Sequence, residues 1–321
     1  RDRGFGCETV GRREADMEGR GFRVVARCCI LFSMLSTCSG IKPARPAFRG
    51  TMTTSAKKSV DMFAAALTSN KPLVPAPALF AEAIGTGLIT FLGTGVVASA
   101  VYLGAASGLW QISVVWGAAV ALAAYTTAGV SGAHLNPAVT LALVMFKEFP
   151  LAKAVRYMLA QVAGAVIAAL GVFLTFKPSI AAFEVSKAII RGTPAGIASA
   201  PGCMFFSLCP GGITSGIVAM ALEALQQAIL TFVIFSVFHD ESAAAGSAAP
   251  ALIGLTVAAL ISVFGPLTCA GFNPARDLGP RIVASLVGWG PAVFKHSWCY
   301  LFGPLIGTIA GGYAHRAIYA K

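Results

Sequence analysis

"SGAHLNPAVT", residues 131–140, sets turn-forming residues between two long apolar runs. A second stretch, "GFNPARDLGPR" (271–281), does the same about 140 residues later. In lipid every backbone polar group needs a partner, so irregular backbone is tolerated only within protein or beside a watery cavity. Asn136 can cap a helix that Pro137 begins, because proline at the first helical position sacrifices no useful donor. Asn273 and Pro274 can do so in the second stretch. The segments that follow, 136–146 and 273–286, have helical pattern and are short. Ten residues of helix reach ~15 Å, about half a bilayer core. Neither piece can cross alone. Two entering from opposite faces, with their free amides and positive ends meeting, would make one spanning rod.

The rest of the chain agrees. Hydrophobic residues make up 56% and charged residues 12% of the 321, whereas a soluble domain carries about 25% charged residues. Apolar spans are expected near 79–103, 110–129, 152–175, 216–238, 248–264 and 297–317. The chain also repeats itself. "AEAIGTGLITF" (81–91) parallels "ALEALQQAILTF" (221–232), with Glu82 and Glu223 at an offset of 141 residues. The two Asn-Pro-Ala sites are 137 residues apart. Each half, about 79–175 and 216–318, then holds three spans and a half-helix. An odd number of spans inverts the second half relative to the first. The expected fold is an all-α membrane protein of six transmembrane helices plus two re-entrant half-helices in an inverted repeat.

The formal charge of +11 does not point to nucleic acid. Residues 1–78 hold 13 Lys/Arg against 6 Asp/Glu, and no basic patch is interleaved with aromatics. Residues 1–78 are expected to be a disordered or cleaved leader, and residues 79–321 the membrane domain. Met17, Met34 and Met52 are candidate starts. From Met17, "RGFRVVARCCILFSMLSTCSG" has the basic, apolar and small-residue regions of a signal peptide. The acid-free "IKPARPAFRGTMTTSAKK" after it resembles a transit peptide. Signal then transit resembles the leader of proteins sent to complex plastids in algae. The other reading is a cytoplasmic tail. Lys147, Lys153, Arg156, Arg316 and Lys321 fall on the side of both termini, which with the basic leader favours both termini in the cytoplasm. The membrane is then the plasma membrane or a plastid membrane. The eight cysteines show no metal spacing. Cys203 and Cys209 share a loop and could bridge. No metal or cofactor is expected, and no Ser/His/Asp or Cys/His constellation suggests an enzyme.

With these motifs in hand, residues from about 79 to 318 are identified as resembling the aquaporin, or major intrinsic protein, family. "SGAHLNPAVT", "GFNPARDLGPR", the membrane glutamates and "YLFGPLIG" (300–307) carry the resemblance. "ISVVWGAAVALAAYTTAGVSGAHLNPAVTLAL" (112–143) is especially similar to bacterial glycerol facilitators. The resemblance implies a homotetramer in the bilayer with one pore per subunit. It implies that Asn136, Pro137, Ala138, Asn273, Pro274 and Ala275 form the pore centre, the asparagines offering amide donors. It implies a selectivity filter of Trp116, Ile261, Ala270 and Arg276. Glu82, Glu223, Gln161 and His134 are expected to support the re-entrant loops. Asp277, Arg281 and Leu301 fit the facilitator pattern, whereas Tyr300 is commoner outside it. Facilitators tend to place Gly and an aromatic where this chain has Ile261 and Ala270, and that set is similar to plant nodulin-26-like proteins. The implied function is a passive channel for small uncharged solutes, led by glycerol, with water also permeating. Alternatives are a channel mainly for water, urea or a metalloid acid, and, in another class, a secondary transporter, for which only Glu82 and Glu223 could serve as an ion site.

Overall fold

The structure, a computed structural model, describes residues 74–106, 108–197, 215–239 and 246–319. The leader expected over 1–78 falls almost wholly outside them, as do Cys203 and Cys209. Among the described residues the elements are α-helices joined by turns: α1 (Ala76–Leu103), α2 (Leu109–Ser131), α3 (Pro137–Phe146), α4 (Leu151–Ser186), α5 (Gly216–Val237), α6 (Ala249–Thr268), α7 (Pro274–Ala284) and α8 (Ser297–Tyr319). Helices α1, α2, α4, α5 and α6 are long and apolar enough to cross a membrane. Helix α8 equals α2 in length at 23 residues but ends in a polar turn with His315 and Arg316. Helices α3 and α7, of 10 and 11 residues, are the two half-length pieces.

The packing carries the repeat. Helix α1 runs along α4, and α5 along α8; α2 crosses to α6; α7 packs on α4 and α3 on α8. Close approach at glycine sets each crossing. A Cβ at Gly164 would strike the Ala83 carbonyl, and one at Gly307 would strike that of Ala224. Gly117 and Gly254 meet backbone to backbone between α2 and α6. These contacts fall at matching places in the two halves, so the inverted repeat is built into the helix interfaces.

The polarity is inside-out relative to a soluble protein. Phe80, Ile84, Leu159, Ile167 and Leu255 are exposed, while Glu82, Gln161, Glu223, Gln226 and Gln227 are fully buried. A bilayer solvates the former, and only protein partners can satisfy the latter.

One expectation is corrected. The third span does not end near 175, and the region from 176 is not simply a loop. Helix α4 continues through Pro178 to Ser186. Its 36 residues reach ~54 Å, well beyond a ~30 Å hydrocarbon core. Proline removes one helical hydrogen bond, but tertiary packing carries the helix on. Ile180 is fully buried against the end of α7, and Phe183 meets Tyr102 edge-on with ring centroids 5.5 Å apart. Beyond it Arg191 clasps Glu184 through both guanidinium edges, at 2.7 and 2.9 Å, and donates to the Val287 carbonyl at 2.8 Å. Its guanidinium lies 4.2 Å from the Trp289 ring. The turn after α7 is thereby tied to the overhang of α4.

Candidate functional site

The two half-helices meet tip to tip. Asn136 has extended backbone (φ −155°), and its side-chain oxygen accepts from the Ala138 amide at 2.8 Å. Asn273 caps α7 likewise, accepting from Ala275 at 3.0 Å and Arg276 at 3.2 Å. The amide nitrogens reach the other way. Asn136 Nδ2 donates to the Phe272 carbonyl at 3.0 Å, and Asn273 Nδ2 to the Leu135 carbonyl at 2.8 Å. Each asparagine therefore caps its own helix with oxygen and ties the opposite loop with nitrogen. A side-chain amide has two hydrogens, which leaves one per residue. That of Asn136 points towards Gln227 Oε1 at a long 3.4 Å. The remaining hydrogen of Asn273 has no acceptor among the described residues, and both residues line the central cavity.

The loops leading to these tips are strained. Ala133 and Leu135 in the first, and Cys269 and Ala270 in the second, have φ between 47° and 61°. This left-handed conformation costs a residue with a Cβ roughly 1–2 kcal/mol. Buried carboxylates hold it. Glu82 accepts from Ser131 Oγ (2.6 Å), the amides of His134 (2.9 Å) and Leu135 (2.8 Å), and Gln161 Nε2 (2.7 Å). Glu223 accepts from Thr268 Oγ1 (2.6 Å), the amides of Gly271 (3.1 Å) and Phe272 (2.5 Å), and Gln226 Nε2 (3.3 Å). Gln161 also donates to Thr140 Oγ1 at 3.0 Å, which lies 3.2 Å from His134 Nδ1. The His134 ring is fixed edge-on to Phe149 and Tyr157.

Trp116, Ile261, Ala270 and Arg276 come together on one cavity of about 470 Å³. The Arg276 guanidinium sits 4.4 Å from the centroid of the Trp116 ring. The same cavity passes His134, Asn136 and Asn273 and continues to Lys147 and Phe238 near the ends of α3 and α5. Asn136, Asn273 and Arg276 bring donors to its lining, and Ile89, Val120, Leu230 and Val257 bring hydrocarbon. Such a passage offers a solute both hydrogen bonds and apolar contact.

Asp277, Arg281 and Tyr300 do not line this cavity. They form a cluster behind α7. Arg281 Nε donates to Asp277 Oδ2 at 2.7 Å with both groups buried, and Nη1 donates to the Val293 carbonyl. The Arg281 guanidinium is 5.4 Å from the Tyr300 ring, and Tyr300 Oη donates to the Thr268 carbonyl at 2.9 Å. These residues bear on the lumen from behind, through the placement of α7 and through the charge of Asp277 near Arg276. Leu301 is half-buried on α8 and lies apart from the cavity.

Sequence reasoning missed a second layer. Gln227 Nε2 donates to Thr231 and Thr308 at 3.1 and 3.3 Å, and Thr308 donates to the Ala138 carbonyl at 2.9 Å. This chain links α5 and α8 to the first turn of α3. The adjacent Gln226 and Gln227 in an apolar span were the available signal, since intramembrane polar residues are costly and seldom idle.

A model of the major intrinsic protein family matches residues 71–315. The chain belongs to the major intrinsic protein family. It is 41% identical over 258 residues to the glycerol uptake facilitator protein of Pseudomonas aeruginosa, covering 77% of this chain and 91% of that one. It is also 41% identical over 248 residues to the glycerol uptake facilitator protein of Escherichia coli, with 75% and 87% covered. The X-ray structure of the aquaglyceroporin from Plasmodium falciparum superposes with a TM-score of 0.65 at 25% identity, covering 76% of this chain and 96% of that one. This member of the major intrinsic proteins is an integral, multi-pass membrane protein with the aquaporin fold.

Proposed function

We propose that the protein conducts glycerol and similar small uncharged polyols passively through the central cavity, with water sharing the path. One observation carries the reading: the cavity joins the Trp116, Ile261, Ala270 and Arg276 cluster to the paired asparagine tips, and its lining combines hydrogen-bond donors with hydrocarbon. A polyol carries hydroxyls on a carbon backbone, so it has a partner for both. Similarity to the glycerol uptake facilitators supports glycerol as the permeant. Arg276 is assigned to receive solute oxygens and to repel cations, and the half-helix N-termini to add a positive field against hydronium. Both termini are assigned to the cytoplasm.

A coupled transporter would need a carboxylate facing the path. Glu82 and Glu223 each receive four hydrogen bonds from protein and neither lines the cavity. The test is a light-scattering assay on proteoliposomes given water, glycerol and urea gradients. Glycerol flux is expected to rise linearly with concentration and to ignore a proton gradient. Saturating or proton-coupled flux overturns the channel reading. Fast water with glycerol at the empty-vesicle rate replaces the polyol with water.

A further inference from the structure

Beside the lumen, where α3, α5 and α8 end, lies a second pocket of about 160 Å³. Its walls are Phe146, Lys147, Phe235, His239, His315, Arg316 and Tyr319. Two cations and two imidazoles meet here, with no carboxylate among the described lining residues. The cations are held by ring faces. Lys147 Nζ lies 5.5 Å from the Phe235 centroid, and the Arg316 guanidinium 4.9 Å from that of Phe146. A ring face fixes a cation in place without consuming its N–H donors. Neither side chain enters an ion pair among the described residues.

His315 supplies an independent observation. It is 6% exposed, and its Nε2 has no hydrogen-bond partner among the described residues. The ring is fixed by stacking on Tyr319 at 4.6 Å and by the Phe235 edge at 5.6 Å. His239 lies 5.6 Å from it, ring to ring. A buried, unpaired imidazole nitrogen is costly, and this one belongs to a residue lining the pocket.

We propose that Lys147, Arg316 and His315, with His239 beside them, form a binding site for a phosphate monoester at the channel mouth on the C-terminal side. A tetrahedral dianion presents several acceptor oxygens. It would take the planar fork of Arg316 and the point charge of Lys147 together, and His315 would donate from Nε2 with its ring protonated there. The anion could be free in solution or the headgroup of a lipid; the chemistry is the same. Lys147 and Phe235 line both pockets, so a bound anion stands at the rim of the lumen. That second consequence, slowed solute passage, rests on the channel reading above.

The purified full-length protein in vesicles of neutral phosphatidylcholine is titrated calorimetrically with inorganic phosphate and with glycerol 3-phosphate. Both should bind. Arg316→Gln and Lys147→Gln should each weaken binding about tenfold or more, since a hydrogen bond to a charged group contributes about 1.5–3 kcal/mol. Arg316→Lys should recover part of the loss. Vesicles containing phosphatidic acid identify the source: competition with soluble phosphate assigns the site to a headgroup as well, and undiminished phosphate binding assigns it to the free anion. Glycerol efflux is read in parallel, each variant against its own phosphate-free rate. Phosphate should slow the wild type and leave Arg316→Gln untouched. Absence of phosphate binding, or binding indifferent to both glutamine variants, overturns the proposal. Loss of glycerol conduction in phosphate-free vesicles would instead strike the channel reading and leave the binding result standing.

Discussion

Replacing Glu223 by Gln tests the central geometry most directly. The carboxylate now accepts from Thr268 Oγ1 and from the Gly271 and Phe272 amides at 2.6, 3.1 and 2.5 Å. Glutamine keeps the shape but swaps one acceptor oxygen for a donor. Oε1 serves Thr268 and Gly271, and Oε2 serves Phe272, so whichever oxygen is lost leaves at least one donor facing N–H. A hydrogen bond to a charged group contributes about 1.5–3 kcal/mol, and stranding its partner costs a further 1–3 kcal/mol. The sum is about 2.5–6 kcal/mol, within a total stability of order 5–15 kcal/mol. It falls on the loop that holds Cys269 and Ala270 in left-handed backbone. Released, that loop carries the Phe272 carbonyl away from Asn136 and Ala270 away from Arg276. The expected result is a lowered melting temperature in detergent and glycerol efflux close to that of empty vesicles, normalised to inserted protein. Glu82→Gln should behave alike. Wild-type efflux with an unchanged melting temperature in Glu223→Gln would refute the assignment of the carboxylate to loop support.

Three further outcomes are expected. Ala270→Phe places a ring opposite Trp116 and Arg276; in proteoliposomes it should lower glycerol flux more than water flux, and equal effects would remove Ala270 from the constriction. Arg276→Val deletes the cation beside Trp116 and should raise proton or cation leak several-fold in voltage-clamped oocytes, with unaltered leak counting against its gatekeeping role. Arg281→Met strands buried Asp277, a change of about 3–5 kcal/mol, and should destabilise the protein in detergent; because Arg281 lies off the lumen, whatever protein folds should keep the wild-type ratio of glycerol to water flux.

The half-helices were legible because their signal is local. Asn-Pro marks a cap and first turn, and the starts of α3 and α7 fall within a residue of where the sequence puts them. The inverted repeat was legible from the glutamate spacing, and the structure adds the close approach of Gly307 and Gly311 to Ala224 and Ala228. The overhang of α4 was not legible. Lys177 and Pro178 look like an ending, and what overrides them is packing against Tyr102 and the turn after α7, segments far away in sequence. The Gln227–Thr308–Ala138 relay was hidden for the same reason: its links join residues 81 and 170 positions apart. Arg281 was legible as part of the facilitator pattern but not as a buried brace, because nothing local says that its partner carbonyl comes from Val293.

The reciprocal tie between Asn136 and Asn273 bears on biogenesis. When the ribosome has finished the first half, the tip of α3 is already committed to the bilayer interior, yet the Phe272 carbonyl that will receive its amide has not been synthesised. Until Phe272, 136 residues after Asn136, emerges, that tip must be nursed by water, lipid headgroups or the insertion machinery. The nascent N-terminal half is thus obliged to remain an unfinished, hydrated hairpin, and maturation of both halves becomes a single late event.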